Sequence, residues 1–200
     1  IRFFMGCISL KKAKTIITPS KYAKVQTSKY TNNSISIIPN ICLNKSLFSS
    51  KINQKKINKK INIVMLNNGF VPFKNIKIAL KAFKEFNSFS SSSSLTLFGH
   101  EMQKGASCYK WAKENSLTKN VIFKGHLEHT EMMKIFQKYD VLLHTSLEES
   151  FGNIYIEAMI KGVPIIAGKK SLFIKYFGFV DTTQTDTSGR MSFMYSLVAL

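Results

Sequence analysis

The sequence predicts an α/β fold, a Rossmann-like parallel sheet with helices on both faces, and three observations predict it. From Asn62 onward, short apolar runs alternate with stretches of helical period. The first three runs end on Asn or Gly, at Asn67-Asn68-Gly69, at Gly99 and at Gly125. The distance from one run to the next leaves room for a helical crossover, the connection that parallel neighbours require.

The elements follow in order. Asn62–Leu66 predicts a β-branched strand. Ile76, Ala79, Leu80 and Phe83 recur at helical spacing, so Asn75–Phe86 predicts an amphipathic helix, and Ser88–Ser94 a polar, low-complexity loop. Leu95–Phe98 predicts a second strand, and Tyr109–Asn115 lies in a second helix. Val121–Phe123 predicts a third strand; Thr130 with Glu131 opens a helix whose apolar stripe is Met132, Ile135 and Phe136. Asp140–His144 predicts a fourth strand, Gly152–Lys161 a helix closed by Gly162, and Pro164–Ala167 a fifth strand. Ligands of such sheets sit outside the carboxyl ends of the strands, where the loops after Leu66, Phe98, Phe123 and His144 gather.

The first sixty residues differ. Thr15–Thr18 predicts a strand, Pro19–Tyr30 a Lys-rich helix with Pro at its start, and Ser36–Ile38 a strand followed by a turn at Pro39–Asn40. Asn44–Lys60, rich in Lys and Asn with little to bury, reads as a linker. The expected organisation is a remnant of a preceding domain with a hinge in residues 1–43, a linker in 44–60, the principal domain in 61–183 and a truncated or divergent tail in 184–200. Position 1 is Ile, and Ile1–Leu10 lacks a charged-then-apolar leader, so the chain reads as part of a longer protein.

Composition narrows the function classes. Apolar residues make up 44% of the 200, which suits a globular core, and no run approaches the roughly 18 to 20 apolar residues of a membrane span. Cys7, Cys42 and Cys108 are few, scattered and odd in number, which fits neither a disulfide framework nor a metal cluster. The net charge of +18 is nearly all Lys, with only Arg2 and Arg190, and the first acidic residue is Glu85. Base readout favours Arg, and single-strand binding favours interleaved aromatics, so nucleic acid is not the expected partner. Compositional drift on solvated faces accounts for the charge, as does weak attraction to an anionic membrane surface. The expected location is cytoplasmic, peripheral to a membrane in the second case.

The chemistry-bearing stretch runs from His144 to Ala167. It reads as a strand end, a polar loop with Gly152, and a helix starting near that glycine. Glycine lets backbone approach a ligand, and the free N–H groups of a helix start suit a phosphate. Glu149 falls in the loop and Glu157 in the helix. Carboxylates accept paired hydrogen bonds from vicinal hydroxyls such as those of a ribose or hexose. From spacing alone two accounts stay open: a reader of a nucleotide sugar, or an ordinary helix face with a glycine turn.

This stretch resembles the signature of glycosyltransferase family 4, in which two glutamates eight apart flank a Phe-Gly pair and the second precedes Ala-Met. Gly162-Val163-Pro164-Ile165-Ile166 is similar to the Gly-x-Pro strand that follows. Ile38-Pro39-Asn40 resembles the hinge into the second domain, and Phe73-Lys74-Asn75 the phosphate-binding turn. Leu97-Phe98-Gly99 and Val121-Ile122-Phe123-Lys124-Gly125 resemble the next two strand ends. The resemblance runs from about Ala13 to about Asp181 and implies the second, donor-binding domain of a GT-B fold.

It implies that Glu157 binds the ribose hydroxyls and that Glu149 contacts the donor sugar. The amides around Gly152, Asn153 and Ile154 would face the sugar and diphosphate, with Gly99 and Gly125 at the neighbouring strand ends. Lys74 would neutralise the diphosphate as its bond to the sugar breaks. The implied activity is transfer of a hexose from a UDP- or GDP-sugar to a glycan or lipid-linked acceptor, with retention of configuration and without a cofactor or metal. One departure is plain: family members have Arg five residues before that Lys, and Gly69 stands there. After Gly168 the sequence also leaves the family pattern. Two other function classes stay open, a non-catalytic nucleotide-sugar-binding relic and a basic nucleic-acid-binding module.

The remaining candidates carry less. His100, His126, His129 and His144 lack metal-ligand spacing and read as loop or surface histidines, although His126 and His144 could line the cleft. Trp111 reads as core or rim, and no Walker-type or GxGxxG loop is present.

Overall fold

The computed structural model describes residues 2–40 and 60–168. The expected linker at 44–60, save Lys60, and the expected tail at 184–200 lie outside the described residues, as does Cys42. The chain divides into two compact units, Ile1–Leu43 with Glu149–Asn153, and Asn44–Glu148 with Ile154–Leu200.

The larger unit carries the expected architecture. Strands β3 (Asn62–Leu66), β4 (Ser94–Phe98), β5 (Val121–Gly125), β6 (Val141–His144) and β7 (Ile165–Ala167) form one sheet in the order β5-β4-β3-β6-β7. All four pairings are parallel, with Val64 opposite Thr96 on one side and Leu142 on the other. Helices α3 (Ile76–Phe89), α4 (Ser107–Glu114), α5 (His129–Ile135) and α6 (Asn153–Ile160) make the crossovers. Strands covered on both faces need apolar residues at consecutive positions, and Leu95, Thr96, Leu97 and Phe98 are all buried.

One face holds the main core. Ile63, Met65, Leu95 and Leu97 pack with Ile76, Ala79, Leu80 and Phe83 of α3 and with Cys108 and Ala112 of α4. The alternate residues Val64, Thr96, Phe98 and Leu142 are buried on the opposite face, where the Phe98 ring meets Tyr139 edge-on at 6.4 Å. Burying Leu80 alone is worth about 1.5–3 kcal/mol.

Several boundaries move from the expected ones. α3 continues to Phe89, because Asn87 is buried and its Oδ1 accepts from Asn120 Nδ2 at 3.1 Å. The Ser-rich stretch is therefore partly helix, and its last residue, Ser94, is already strand, paired with Asn62. β5 extends to Gly125, α4 opens at Ser107 and α5 at His129, and Phe136–Lys138 is a 3-10 turn. β6 starts at Val141, α6 spans Asn153–Ile160 rather than Gly152–Lys161, and β7 starts at Ile165.

The smaller unit contains α1 (Arg2–Lys12), β1 (Ile16–Thr18), α2 (Lys21–Ser28) and β2 (Ile35–Ile37), with β1 and β2 paired in parallel. This is the expected βαβ piece with shifted ends. Pro19 does not start α2; Ser20 caps it instead, its Oγ accepting from the Ala23 N–H at 3.1 Å. Helix α1 was not expected.

Candidate functional site

Strand order reverses between β3 and β6, since β4 and β5 build outward from one and β7 from the other. At such a switch point the two following loops diverge to opposite faces and leave a crevice at the carboxyl ends of the strands. The loop after β3 leads into a 3-10 turn, Pro72–Lys74, which closes on Asn75 at φ 54°. Asn tolerates that left-handed conformation at lower cost than other side chains do. The loop after β6 is tied to this turn: Thr145 Oγ1 donates to the carbonyls of Lys74 at 3.2 Å and Asn75 at 3.1 Å, and the Leu147 N–H donates to Phe73 O at 2.8 Å. Lys74, half-buried, is thereby fixed at its backbone beside the switch point, with its ammonium 5.5 Å from the Phe73 ring centre.

Glu157 lies in α6 among the buried residues Tyr155 and Ala158. Its side chain is 12% exposed, and an ionised carboxylate so enclosed needs a donor. His129, the first residue of α5, supplies one, with its Nε2 2.8 Å from Glu157 Oε1. Sequence reasoning set His129 aside as a loop or surface histidine. A lone histidine 28 residues from its partner carries no periodic signal that would have found the pair.

Gly99 and Gly125 stand at adjacent strand ends. A Cβ on Gly99 would fall 1.5 Å from the Asn67 carbonyl oxygen, so backbone passes where any side chain would be. The Gly99 N–H donates to Gly125 O at 2.7 Å. The approach of the Asn67 carbonyl accounts for Gly99; Gly125 has φ 82°, and a Cβ there would lie 3.0 Å from that of Gln103.

The position expected to hold Arg has a second feature. A Cβ on Gly69 would lie 3.8 Å from Glu101 Oε2. That carboxylate accepts the Phe70 N–H at 2.9 Å and, through Oε1, the Ser107 hydroxyl at 2.9 Å. The Phe70 amide and then the Ser107 hydroxyl hold the Glu101 carboxyl below its ordinary value. An acid therefore staples the loop after β3 where the family pattern has a cation.

Of the other histidines, His144 is buried, its ring edge-on to Tyr155 at 4.9 Å, and so packs inside rather than lining a cleft. His126 is exposed at the carboxyl end of β5, stacked on His100 at 4.6 Å with Nε2 3.1 Å from Glu128 Oε1. Trp111 sits at the rim of the main core, 6.0 Å from Phe70 and under the Lys77 ammonium. Among the described residues, no group of three or more His, Cys, Asp or Glu is placed to hold a metal ion, and no helix is long and apolar enough to cross a membrane.

Lys74, Gly99, Gly125, Ile154 and Glu157 all belong to the larger unit. Glu149, Gly152 and Asn153 belong to the smaller one. There the Ser20 hydroxyl donates to the Ser150 carbonyl, and Asn40 Nδ2 donates to Asn153 Oδ1 at 3.1 Å. Gly152 is buried with φ 81°, a conformation that suits glycine, and α6 starts directly after it.

Known proteins bear on this arrangement. The sequence model of the family described as glycosyl transferases group 1 matches residues 48–178. Protein CapJ of Staphylococcus aureus is 29% identical over 112 residues, 56% of this chain and 28% of that protein. An uncharacterised 41.2 kDa protein in the cps region of Klebsiella pneumoniae is 44% identical over 48 residues, 24% of this chain and 13% of that one. Among solved structures, sucrose-phosphate synthase of Thermosynechococcus elongatus superposes with a TM-score of 0.67 at 21% identity, over 91% of this chain and 47% of its own. HepE of Anabaena, in complex with UDP-glucose, gives 0.61 at 18% identity, over 84% and 48%. The chain thus spans less than half of each of these proteins. The structural likeness places the chain in the GT-B fold class that the sequence implied.

Proposed function

Because the chain belongs to the glycosyl transferases of group 1, we propose that it carries the donor-binding half of a retaining, family 4 glycosyltransferase. The observation that carries this reading is the switch point between β3 and β6, with the Lys74 turn after one strand and Thr145, bonded to it, after the other. A diphosphate placed there meets a cation. The vicinal hydroxyls of a ribose find their acceptor in Glu157. HepE, with UDP-glucose bound, has the same fold, which supports a nucleotide-sugar ligand. The relatives named for CapJ and for a cps region support a role in polysaccharide or glycan biosynthesis.

In this reading Glu149 contacts the donor sugar, and the amides from Gly152 to Ile154 face the sugar and diphosphate. Gly99 and Gly125 keep the neighbouring strand ends low enough for the nucleotide to approach. Lys74 stabilises the charge that develops on the leaving diphosphate, in place of a metal. The acceptor, a saccharide or lipid-linked glycan, is bound by a partner domain of the longer protein, and transfer depends on it for positioning. Residues 1–200 alone therefore transfer no sugar; acceptor-dependent turnover by this chain would overturn that part of the reading.

The lysine excess attracts the protein peripherally to anionic membrane, each Lys contributing about 1 kcal/mol near the surface. Co-sedimentation with anionic vesicles that declines with salt is the expected result; equal binding to neutral vesicles would rule it out.

A second reading, a nucleotide-sugar binder without turnover, is favoured by Gly69 and by the Glu101 carboxylate that lies against it. The first experiment is a thermal-shift panel of UDP- and GDP-sugars, with Glu157→Ala as control. Stabilisation by one base series in the wild type, lost in the variant, is expected. No stabilisation by any nucleotide sugar would refute both readings.

A further inference from the structure

We propose that His129 is a positioning residue for the nucleotide ribose, acting through Glu157; this rests on the reading of Glu157 as the ribose acceptor. His129 follows β5 by four positions and opens α5, so it stands in the loop cluster at the carboxyl ends of the strands. Its side chain is 62% exposed, whereas that of Glu157 is 12% exposed. A histidine with no task beyond satisfying a core acid would be expected to share that acid's burial.

The contact is specific to one oxygen of the carboxylate. His129 Nε2 meets Glu157 Oε1 at 2.8 Å. With Glu157 ionised, that contact is attractive only when Nε2 carries the proton, so the imidazole is the donor. A carboxylate has about four acceptor sites on its two oxygens, and a vicinal diol needs two. One bond from His129 fixes the rotamer of a side chain that would otherwise sample several, and leaves Oε2 and the second lone pair of Oε1 for the diol. The imidazole thereby sets the orientation in which the acid meets the ribose without touching the ribose itself.

Titration of UDP and of 2′,3′-dideoxy-UDP against the full 200-residue chain separates the possibilities. His129→Ala is expected to weaken UDP by about tenfold, the loss of one oriented charged hydrogen bond. It should leave dideoxy-UDP, which has no diol, unchanged. His129→Gln, whose amide nitrogen can reach where Nε2 stands, should restore most of the UDP affinity. In a Glu157→Ala background, His129→Ala should have no further effect. Equal weakening of both nucleotides by His129→Ala, or no weakening of either, overturns the positioning role while Glu157→Ala still discriminates between them. If Glu157→Ala itself fails to discriminate, or the wild type binds no UDP, the ribose reading falls and this inference with it.

Discussion

Among the described residues, two buried clusters of the larger unit differ in make-up. Under α3 and α4 a broad cluster of buried aliphatic and aromatic side chains joins helices to β3, β4 and β5. Beside α6 the cluster of described residues holds Tyr155 and Ala167, with Ile154, Met159 and Ile165 against them, and the same helix buries an acid. Apolar packing of the first kind is what holds a sheet together. A buried carboxylate costs stability unless it is paired, and here the pairing residue is itself exposed. The first cluster serves as scaffold, and α6 adds to its own apolar contacts a buried acid paired with an exposed histidine.

That contrast is open to direct challenge. Leu80→Ala removes a fully buried side chain from the large cluster. It should cost about 2–5 kcal/mol of stability and leave the nucleotide affinity of the folded protein unchanged; denaturant unfolding with parallel titration measures both. Glu157→Ala should do the reverse. Its stability cost should stay within about 1 kcal/mol, because the partner it abandons is solvated, while UDP affinity falls about ten- to a hundredfold. Equal stability losses in the two variants would erase the distinction.

A smaller effect is expected at the staple between the loops. Glu101 has its carboxyl held below the ordinary value of 4.5 by the Phe70 amide and the Ser107 hydroxyl. Its stabilising contribution is therefore present above that pH and is lost as pH falls through the lowered native value. Glu101→Gln should melt slightly below wild type at neutral pH, and the gap should close in acid. A gap that widens in acid would contradict the staple.

The smallest effect is chemical. Burial pushes the Cys108 thiol up to about 12, so at pH 8 it stays protonated and enclosed. Peptide mapping after alkylation of the native chain should find Cys108 unlabelled and half-buried Cys7 labelled, with both labelled in denaturant.

Much of the scaffold was legible because its physics is local. The β-branched run Asn62–Leu66 and the repeat Ile76, Ala79, Leu80, Phe83 each state their period in the sequence. Boundaries were less so: Asn87 extends α3 through a hydrogen bond to Asn120 that no window of sequence contains. The switch point followed from strand order, which alternation of elements does not specify. Of the site, Lys74 came from the family resemblance alone, whereas Glu149 and Glu157 stood out by their place around a helix start and took their roles from the resemblance. Their surroundings were not legible at all. The His129–Glu157 pair, the Thr145 tie to the Lys74 turn and the Glu101 staple join residues 28, 71 and 31 positions apart, on helices and loops that meet only once the sheet has formed.

The central claim, a nucleotide diphosphate held at the β3–β6 switch point, is tested most directly by calorimetric titration of UDP and uridine against wild type and Lys74→Ala, with GDP and guanosine if the panel selects that base. The account predicts that Lys74→Ala weakens the diphosphate about ten- to a hundredfold and leaves the nucleoside nearly unchanged. Diphosphate affinity equal to wild type in Lys74→Ala would contradict it.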